Sequence, residues 1–186
     1  ADTEILAEEC IKVLKDKEKP EALDLCAGSG CIGITIAKEV PSSFVTMLEK
    51  FPEAARYAER NRERHEASNT KLVTGDVLRG DLSNKSFDLI VSNPPYINEE
   101  EMNIISPETR YEPETALLSP GDGLDFYRAI IENYKNSIKK DGMLAFEVGI
   151  GKAQAVKELL DGAGFKKTNI KKDLNGVDRA VYGFKE

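Results

Sequence analysis

The fold is decided by residues 24–30, which read Asp24-Leu25-Cys26-Ala27-Gly28-Ser29-Gly30. An apolar run at residues 22–26 predicts a buried β-strand, and a helical pattern at residues 31–40 follows the two glycines. Glycines let the backbone turn sharply and approach a ligand closely, and the following helix offers its N-terminal amides there. The stretch therefore predicts a strand, a ligand-binding loop and a helix of an α/β protein, with a tight turn that binds no ligand as the alternative.

Strands and helices alternate along the rest of the chain. Helices are predicted at residues 3–15, 52–64, 124–139 and 152–163, the third of them ended by a glycine. Further strands are predicted at residues 44–49, 71–74, 87–92 and 143–148. This alternation predicts a doubly wound sheet with helices on both faces.

Two strands end the chain, at residues 166–172 and 180–184, and Asn175-Gly176 between them indicates a turn. A terminal strand pair is unlike the plain dinucleotide-binding fold. It is similar to the class I S-adenosylmethionine-dependent methyltransferase fold, an α/β fold whose seven-stranded, mostly parallel sheet has an antiparallel last strand. By this analogy we expect a single catalytic domain over residues 1–186.

Composition limits the classes of function. The chain has 186 residues, 40% of them hydrophobic and 32% charged, and no apolar run of about 18 residues that could span a membrane. A net charge of −7 argues against a broad nucleic-acid interface, which needs a basic surface. Three cysteines without a Cys-x-x-Cys pair, and one histidine, argue against a metal site and suit a reducing cytoplasm. We expect a cytoplasmic monomer without a membrane partner.

The glycine loop alone leaves two cofactor classes open. Residues 28–33 also satisfy Gly-x-Gly-x-x-Gly, and Glu49 follows about 20 residues later, as in NAD-binding proteins. In a methyltransferase the Glu49 carboxylate can accept hydrogen bonds from the ribose hydroxyls, and Asp76 with the Val77 amide can contact adenine. Alternatively, Asp76 caps a turn. The candidate cofactor-binding residues are Asp24, Cys26, Ala27, Gly28, Ser29, Gly30, Glu49, Lys50, Asp76, Val77 and Asn93.

The motif that separates the two classes ends the fourth strand and reads Ser92-Asn93-Pro94-Pro95-Tyr96. The carboxyl end of a central strand lies at the ligand crevice, and two prolines stiffen the backbone there. The Asn93 side-chain oxygen and the Pro94 carbonyl can each accept one N–H of a planar NH2 group, on which Tyr96 can stack. Such positioning aligns a weakly nucleophilic nitrogen with a methyl donor, and no general base is needed before transfer. Asn93, Pro94, Pro95 and Tyr96 are the candidate catalytic residues, for which an NAD enzyme has no use here.

A long segment with little periodicity, residues 97–122, follows the motif. Loops of this length in compact domains are usually functional or disordered, and we expect this one to clamp an extended peptide. For Glu112, an ion pair with Arg110 is as good an interpretation as contact with a peptide. The candidate substrate-binding residues are Asn93, Pro94, Tyr96, Arg110 and Glu112.

The chain resembles the HemK/PrmC family, the release factor glutamine N5-methyltransferases, over essentially its whole length. Residues 23–32 and 87–97 are similar to the cofactor loop and the catalytic signature of that family. Other similar segments are Asp2-Thr3-Glu4, Arg110-Tyr111-Glu112-Pro113, Ala116-Leu117, residues 122–128, Glu147-Val148-Gly149, and Asp173-Leu174-Asn175-Gly176 with Asp178-Arg179. Asn-Pro-Pro-Tyr alone is shared with adenine- and guanine-N methyltransferases, and the later segments make the resemblance more specific.

The resemblance implies S-adenosylmethionine as the methyl donor, with S-adenosylhomocysteine as the product. It implies the glutamine of the Gly-Gly-Gln motif of peptide-chain release factors as the acceptor. Cys26-Ala27 stands where the family usually has Gly-Thr, and Glu49 stands where it usually has Asp, but both glycines and a carboxylate are kept. The family also carries a small helical N-terminal domain that helps to hold the release factor. Because this chain starts where that domain would end, we expect an excised catalytic domain.

Other acceptors stay open. An amino group of adenine or guanine has the same planar geometry as an amide, so the motif also permits methylation of a nucleic acid, which the net charge disfavours. A glutamine of a ribosomal protein is a second alternative. A cofactor-binding protein without catalysis is a third, against which the intact Asn93-Pro94-Pro95-Tyr96 motif argues.

Overall fold

A computed structural model describes residues 2–103, 111 and 113–186, in which strands and helices alternate. The helices are α1 (Asp2–Lys15), α2 (Cys31–Glu39), α3 (Pro52–Arg64), α4 (Glu99–Met102), α5 (Glu114–Leu117), α6 (Asp125–Tyr134) and α7 (Ala153–Gly162). The strands are β1 (Glu21–Leu25), β2 (Phe44–Glu49), β3 (Thr70–Thr74), β4 (Phe87–Ser92), β5 (Ile138–Glu147), β6 (Lys166–Lys172) and β7 (Asp178–Phe184). Within these ranges, no helix has the length and apolar character needed to cross a membrane.

In the described part of the chain, seven strands form one sheet in the order β3-β2-β1-β4-β5-β7-β6. The strand β7 runs antiparallel to both of its neighbours, and the other neighbouring pairs are parallel. The central strands β1 and β4 are largely buried, because helices cover both faces of the sheet. The predicted mostly parallel sheet with an antiparallel last strand is confirmed.

Two apolar layers hold the helices against the sheet. On one face α1 buries Leu6 and Cys10, and α2 packs beside it. On the other face α6 buries larger side chains such as Tyr127, and α7 packs beside it. The Tyr127 ring meets Phe146 edge-on with 5.3 Å between centroids, and its hydroxyl donates to the Glu147 carbonyl oxygen at 3.0 Å. Burial and this hydrogen bond fix the end of β5, from which the chain turns toward the site.

The strand β1 lies between β2 and β4, so the order of the strands reverses at this point. Open α/β sheets bind their ligands in the crevice outside the carboxyl ends of the strands at such a reversal. Leu25 of β1 pairs with Ser92 of β4, and the Ser92 Oγ donates to the Leu25 carbonyl oxygen at 2.9 Å. The glycine loop and the Asn-Pro-Pro-Tyr motif therefore leave the sheet side by side.

One predicted helix is too long. The helix expected over residues 124–139 ends at Tyr134, a 3-10 turn follows, and β5 already begins at Ile138. The prediction is wrong beyond Tyr134 because Ile138 pairs with Phe87 in the sheet, a long-range contact that prevails over the helical spacing. Ile138 is buried in either arrangement, so its place in an apolar stripe could not separate the two.

The segment after β4 folds back onto the end of that strand. The Ile97 amide donates to the Leu117 carbonyl at 2.9 Å, and the Ser119 amide donates to the Ile97 carbonyl at 2.8 Å. A capping box begins α4, since Asn98 Oδ1 accepts from the Glu101 amide at 2.8 Å and Glu101 Oε2 accepts from the Asn98 amide at 2.9 Å. These bonds give local structure to the chain directly after the motif.

Candidate active site

A cavity of about 500 Å³ opens at the carboxyl ends of β1, β2, β3 and β4. Its walls include residues 26–29, 49–51, 75–78 and 93–97, which end or follow these strands, together with Pro113 and residues 115–117. The volume lies in the range of small-molecule sites, and the location is the one that open α/β sheets use for ligands. The cavity brings together the glycine loop, the carboxylates after β2 and β3, and the Asn-Pro-Pro-Tyr motif.

The glycine loop turns through left-handed backbone conformations, with φ of 55° at Cys26, 56° at Gly28 and 78° at Gly30. A Cβ at Gly28 would meet no atom within 4 Å, since this residue faces the open cavity. A Cβ at Gly30 would lie 3.1 Å from the Ile34 Cδ1, so this glycine permits close packing of α2 and does not line the cavity. Gly28 thus leaves backbone accessible to a ligand, whereas Gly30 shapes the turn.

Asp24 lies behind the glycine loop and is not part of the cavity wall. Its Oδ2 accepts the Gly33 amide at 2.9 Å, while its buried Oδ1 has no hydrogen-bond partner among the described residues. Burial raises the pKa of Asp24 to about 7, the Gly33 hydrogen bond lowers it, and the charge of Glu49 raises it. The geometry gives Asp24 the task of supporting the start of α2 and does not support the predicted contact with a cofactor.

Glu49, at the end of β2, presents a buried carboxylate to the cavity. Its Oε2 accepts from the Gly28 amide and its Oε1 from the Phe51 amide, each at 2.8 Å. A carboxylate has about four acceptor positions, so about two remain for the hydroxyls of a ligand. The two backbone bonds hold the group rigidly, as recognition of a ribose diol requires.

Asp76 caps the 3-10 turn Val77–Arg79 and also lines the cavity. Its Oδ1 accepts from the Leu78 amide at 3.0 Å, and its Oδ2 lies 2.9 Å from the Lys50 Nζ. Burial raises the pKa of Asp76, but the hydrogen bonds from Lys50 and Leu78 outweigh burial and hold the pKa below its usual value. The helix-cap interpretation is confirmed. Val77 and Lys50 line the same wall of the cavity.

The Asn93-Pro94-Pro95-Tyr96 motif forms the wall beside the glycine loop. Both prolines are buried, and the half-buried Asn93 side chain makes no hydrogen bond with another described residue, so its amide oxygen is available to a ligand. The Tyr96 ring packs on Gly149, where a Cβ would lie only 2.7 Å from the ring Cδ2. The motif therefore presents hydrogen-bond acceptors and the Tyr96 ring, which is supported by Gly149, to one cavity.

The predicted substrate-binding residues Arg110 and Glu112 lie outside the described residues, so their peptide contact or mutual ion pair stays a prediction. The structure adds wall residues that sequence reasoning did not select, among them Phe51, Ile97, Pro113, Thr115, Ala116, Leu117 and Phe126. The available signals were the long segment beside the motif and the similarity at Ala116-Leu117, and neither specifies which side chains face the cavity. Across residues 2–103, 111 and 113–186, no group of three His, Cys, Asp or Glu side chains could hold a metal ion.

Residues 3–110 match the family model described as "Methyltransferase small domain". The chain is 40% identical over 183 residues to a release factor glutamine methyltransferase of Geobacter sulfurreducens, a match that covers 98% of this chain and 63% of the relative. It is 38% identical over 182 residues to a release factor glutamine methyltransferase of Fusobacterium nucleatum subsp. nucleatum, covering 97% of this chain and 51% of the relative. The chain thus spans about half to two thirds of the length of these relatives.

A solved structure shares the fold. The ribosomal protein L11 methylase from Lactobacillus delbrueckii subsp. bulgaricus superposes with a TM-score of 0.70 at 19% identity, covering 99% of this chain and 79% of that one. Together with the observed strand order, this likeness confirms the predicted class I methyltransferase fold.

Proposed function

The chain belongs to the methyltransferase small domain family, and from that premise we propose that it methylates the side-chain amide nitrogen (N5) of a glutamine. The proposed acceptor is the glutamine of the Gly-Gly-Gln motif in peptide-chain release factors, and the proposed donor is S-adenosylmethionine. The names of the two relatives support the release factor as substrate. The single observation that carries the chemistry is that Asn93-Pro94-Pro95-Tyr96 lines the same cavity as the glycine loop.

The residues around the cavity suit S-adenosylmethionine. The rigid Glu49 carboxylate has acceptor positions left for a ribose diol, and Asp76 with Val77 offers an acceptor and an apolar contact for adenine. Gly28 lets the backbone approach a ligand without a side chain in between. When bound, this cofactor supplies a methyl group on a positively charged sulfur, an electrophile that needs no further activation.

The chain itself contributes positioning. The Asn93 amide oxygen and the Pro94 carbonyl oxygen accept the two N–H groups of the acceptor amide, and the Tyr96 ring stacks on its flat face. The cofactor, held beside Gly28 and Glu49, would supply the methyl group and leave as S-adenosylhomocysteine, while Asn93 and Pro94 keep the amide nitrogen aligned with that methyl group and the extra proton of the alkylated nitrogen passes to water. Positioning of this kind can lower a barrier by up to roughly 7–11 kcal/mol.

The test is to incubate the chain with methyl-labelled S-adenosylmethionine and a purified release factor, beside a copy of that factor whose Gly-Gly-Gln glutamine is alanine. Label is expected on the first and none on the second. Asn93→Ala should abolish transfer, whereas Asn103→Ala, at the exposed end of α4, should not. Far-ultraviolet circular dichroism and thermal unfolding show that each variant is folded.

Equal label on both release factors would contradict the assignment to this glutamine. Label on an adenine or guanine of added nucleic acid, with none on the release factor, would replace the proposal by the nucleic-acid alternative.

A further inference from the structure

Lys152, directly before α7, reaches the segment that follows the Asn-Pro-Pro-Tyr motif. Its side chain is only 10% exposed, its Nζ lies 2.9 Å from the Glu101 Oε1, and it donates to the Asp122 carbonyl oxygen at 3.3 Å. Glu101 lies in α4 near the start of that segment, and Asp122 lies at its end. One ammonium group therefore joins both ends of the segment to the turn before α7.

Glu101 connects this ion pair to the motif. Its second oxygen, Oε2, accepts the amide of Asn98, which is two residues after Tyr96, and the Asn98 side chain accepts the Glu101 amide in return. The carboxylate is thus held by Lys152 on one side and by the backbone next to the motif on the other. Displacement of Glu101 would displace the chain directly after Tyr96.

The turn that carries Lys152 also backs the Tyr96 ring. The Lys152 amide donates to the Gly149 carbonyl at 3.1 Å, and Gly149 is the residue against which the ring packs. Gly123 leaves room for the ammonium group, since a Cβ there would lie 2.7 Å from the Lys152 Nζ and 2.5 Å from the Tyr96 carbonyl oxygen. Both the Tyr96 ring and the chain after it are therefore held by residues of one turn.

The alternative is an ordinary surface ion pair, of which α7 offers an example. Lys157 pairs with Asp161 at 2.7 Å on the exposed side of the helix, and such pairs contribute little because solvent screens them. Lys152 differs because it is nearly buried and contacts both ends of the segment that follows the motif, at Glu101 and at Asp122. Loss of Glu101 leaves the nearly buried Lys152 ammonium group poorly solvated, so this pair constrains geometry more strongly.

We propose that Lys152 is a positioning residue for methyl transfer, which holds the Tyr96 segment against the cavity through Glu101 and the Asp122 carbonyl. Lys152 does not line the cavity, so it acts through other groups and does not contact the reactants directly. The inference rests on the proposed function for its effect on rate, but the tether itself is a property of the chain alone.

Four variants test the tether. Lys152→Met removes the charge at similar length, and Lys152→Arg keeps the charge. Glu101→Gln breaks the ion pair but can still accept the Asn98 amide, so the start of α4 is preserved. Lys157→Met is the matched control, because it removes a lysine of α7 whose ion pair is with the exposed Asp161.

Amide hydrogen exchange without any substrate is the first measurement. Lys152→Met and Glu101→Gln should each raise the exchange rates of the Ile97, Glu101 and Ser119 amides about tenfold or more, since local opening becomes easier. The double variant should not exceed Lys152→Met by much, because Lys152→Met already removes both the ion pair with Glu101 and the bond to the Asp122 carbonyl. Lys152→Arg should restore protection and Lys157→Met should leave it unchanged, and unchanged exchange in Lys152→Met would overturn the tether.

Methylation kinetics on the release factor are the second measurement. Lys152→Met should lower kcat about tenfold or more, since small displacements at a reacting centre cost rate steeply. Affinity for S-adenosylhomocysteine should stay within about twofold, because its proposed contacts follow β1, β2 and β3, which Lys152 does not touch. An unaltered kcat would overturn the positioning role. If the unmodified chain fails to methylate the release factor, the proposed function fails, and hydrogen exchange still decides the tether.

Discussion

Replacing Gly149 by alanine tests whether the position of the Tyr96 ring sets the rate. The added Cβ would lie 2.7 Å from the ring Cδ2, 3.2 Å from Cε2 and 3.4 Å from Cγ. Carbon atoms pack favourably at about 3.5–4.0 Å, so the ring or the turn must move by roughly 1 Å. Gly149 is not among the residues with positive φ, so alanine adds no backbone strain and the contact with the ring is the whole perturbation.

The expected result is a selective loss of turnover. A displacement of about 1 Å at a catalytic constellation can cost about 100-fold in rate, so we expect kcat to fall by about 10- to 100-fold. Overpacking also lowers the free energy of unfolding, by about 1–3 kcal/mol, which leaves a folded protein to measure. S-adenosylhomocysteine should bind as before, since Gly28 and Glu49 lie on other loops.

The assay is steady-state methylation of the release factor with calorimetric binding of S-adenosylhomocysteine, on Gly149→Ala and on a control, Gly162→Ala. A Cβ at Gly162 meets no atom within 4 Å, and its φ is ordinary. The control should keep its activity and gain up to about 1 kcal/mol of helix stability. An unchanged kcat in Gly149→Ala would refute the role of the ring, and an equal loss of cofactor affinity would show that the cavity as a whole was disturbed.

Two further predictions concern the carboxylates. Glu49→Gln replaces one carboxylate oxygen, which accepts from the Gly28 or Phe51 amide, by an NH2 group. Affinity for S-adenosylhomocysteine should therefore fall about tenfold or more. Equilibrium dialysis that gives wild-type affinity would contradict the proposed role of Glu49 in cofactor binding. Burial raises the pKa of Asp24 to about 7, against an unfolded value of about 4, so the folded state binds more protons between these limits. The contribution of Asp24 to the free energy of unfolding is therefore complete below about pH 4 and is lost as the pH rises to about 7. Asp24→Asn should lack this pH-dependent contribution, so the difference in the free energy of unfolding between wild type and variant, measured with urea, should change between pH 4 and pH 7. A difference that stays constant over this range would contradict the raised pKa of Asp24.

Much of the fold could be predicted because its signals are local. The predicted bounds of β2, α3, β4 and β6 agree with the observed ones, since turn residues or a proline at the helix start mark their ends. The end of α6 could not be predicted, because Ile138 suits both a helical stripe and a strand. Its pairing with Phe87 depends on two segments about 50 residues apart, which no local pattern encodes.

Some features of the candidate site could likewise be predicted from local sequence signals, and others could not. The location of Glu49, Asp76 and Asn93 at one cavity could be predicted because each ends or follows a parallel strand, and the carboxyl ends of such strands meet at one edge of the sheet. Asp24 carries the same sequence signal, yet alternation along β1 turns it toward Gly33 and away from the cavity. The contact between Lys152 and Glu101 has no sequence signal, because it depends on how α4 and the turn before α7 approach each other in space.

The pairing of β1 with β4 gives a structural reason why positioning would serve as the main device of the proposed methyl transfer. Leu25 of β1 and Ser92 of β4 are register partners, and the Ser92 hydroxyl also donates to the Leu25 carbonyl oxygen. The residue after Leu25 begins the glycine loop, and the residue after Ser92 is Asn93. Neighbouring strands lie about 4.8 Å apart, so the ladder itself sets the separation of the proposed donor and acceptor sites. A rigid separation of this kind suits transfer to an amide, whose nitrogen needs alignment more than a base. It also gives a reason for two buried prolines directly after Asn93, because a flexible continuation would lose the alignment that the sheet provides.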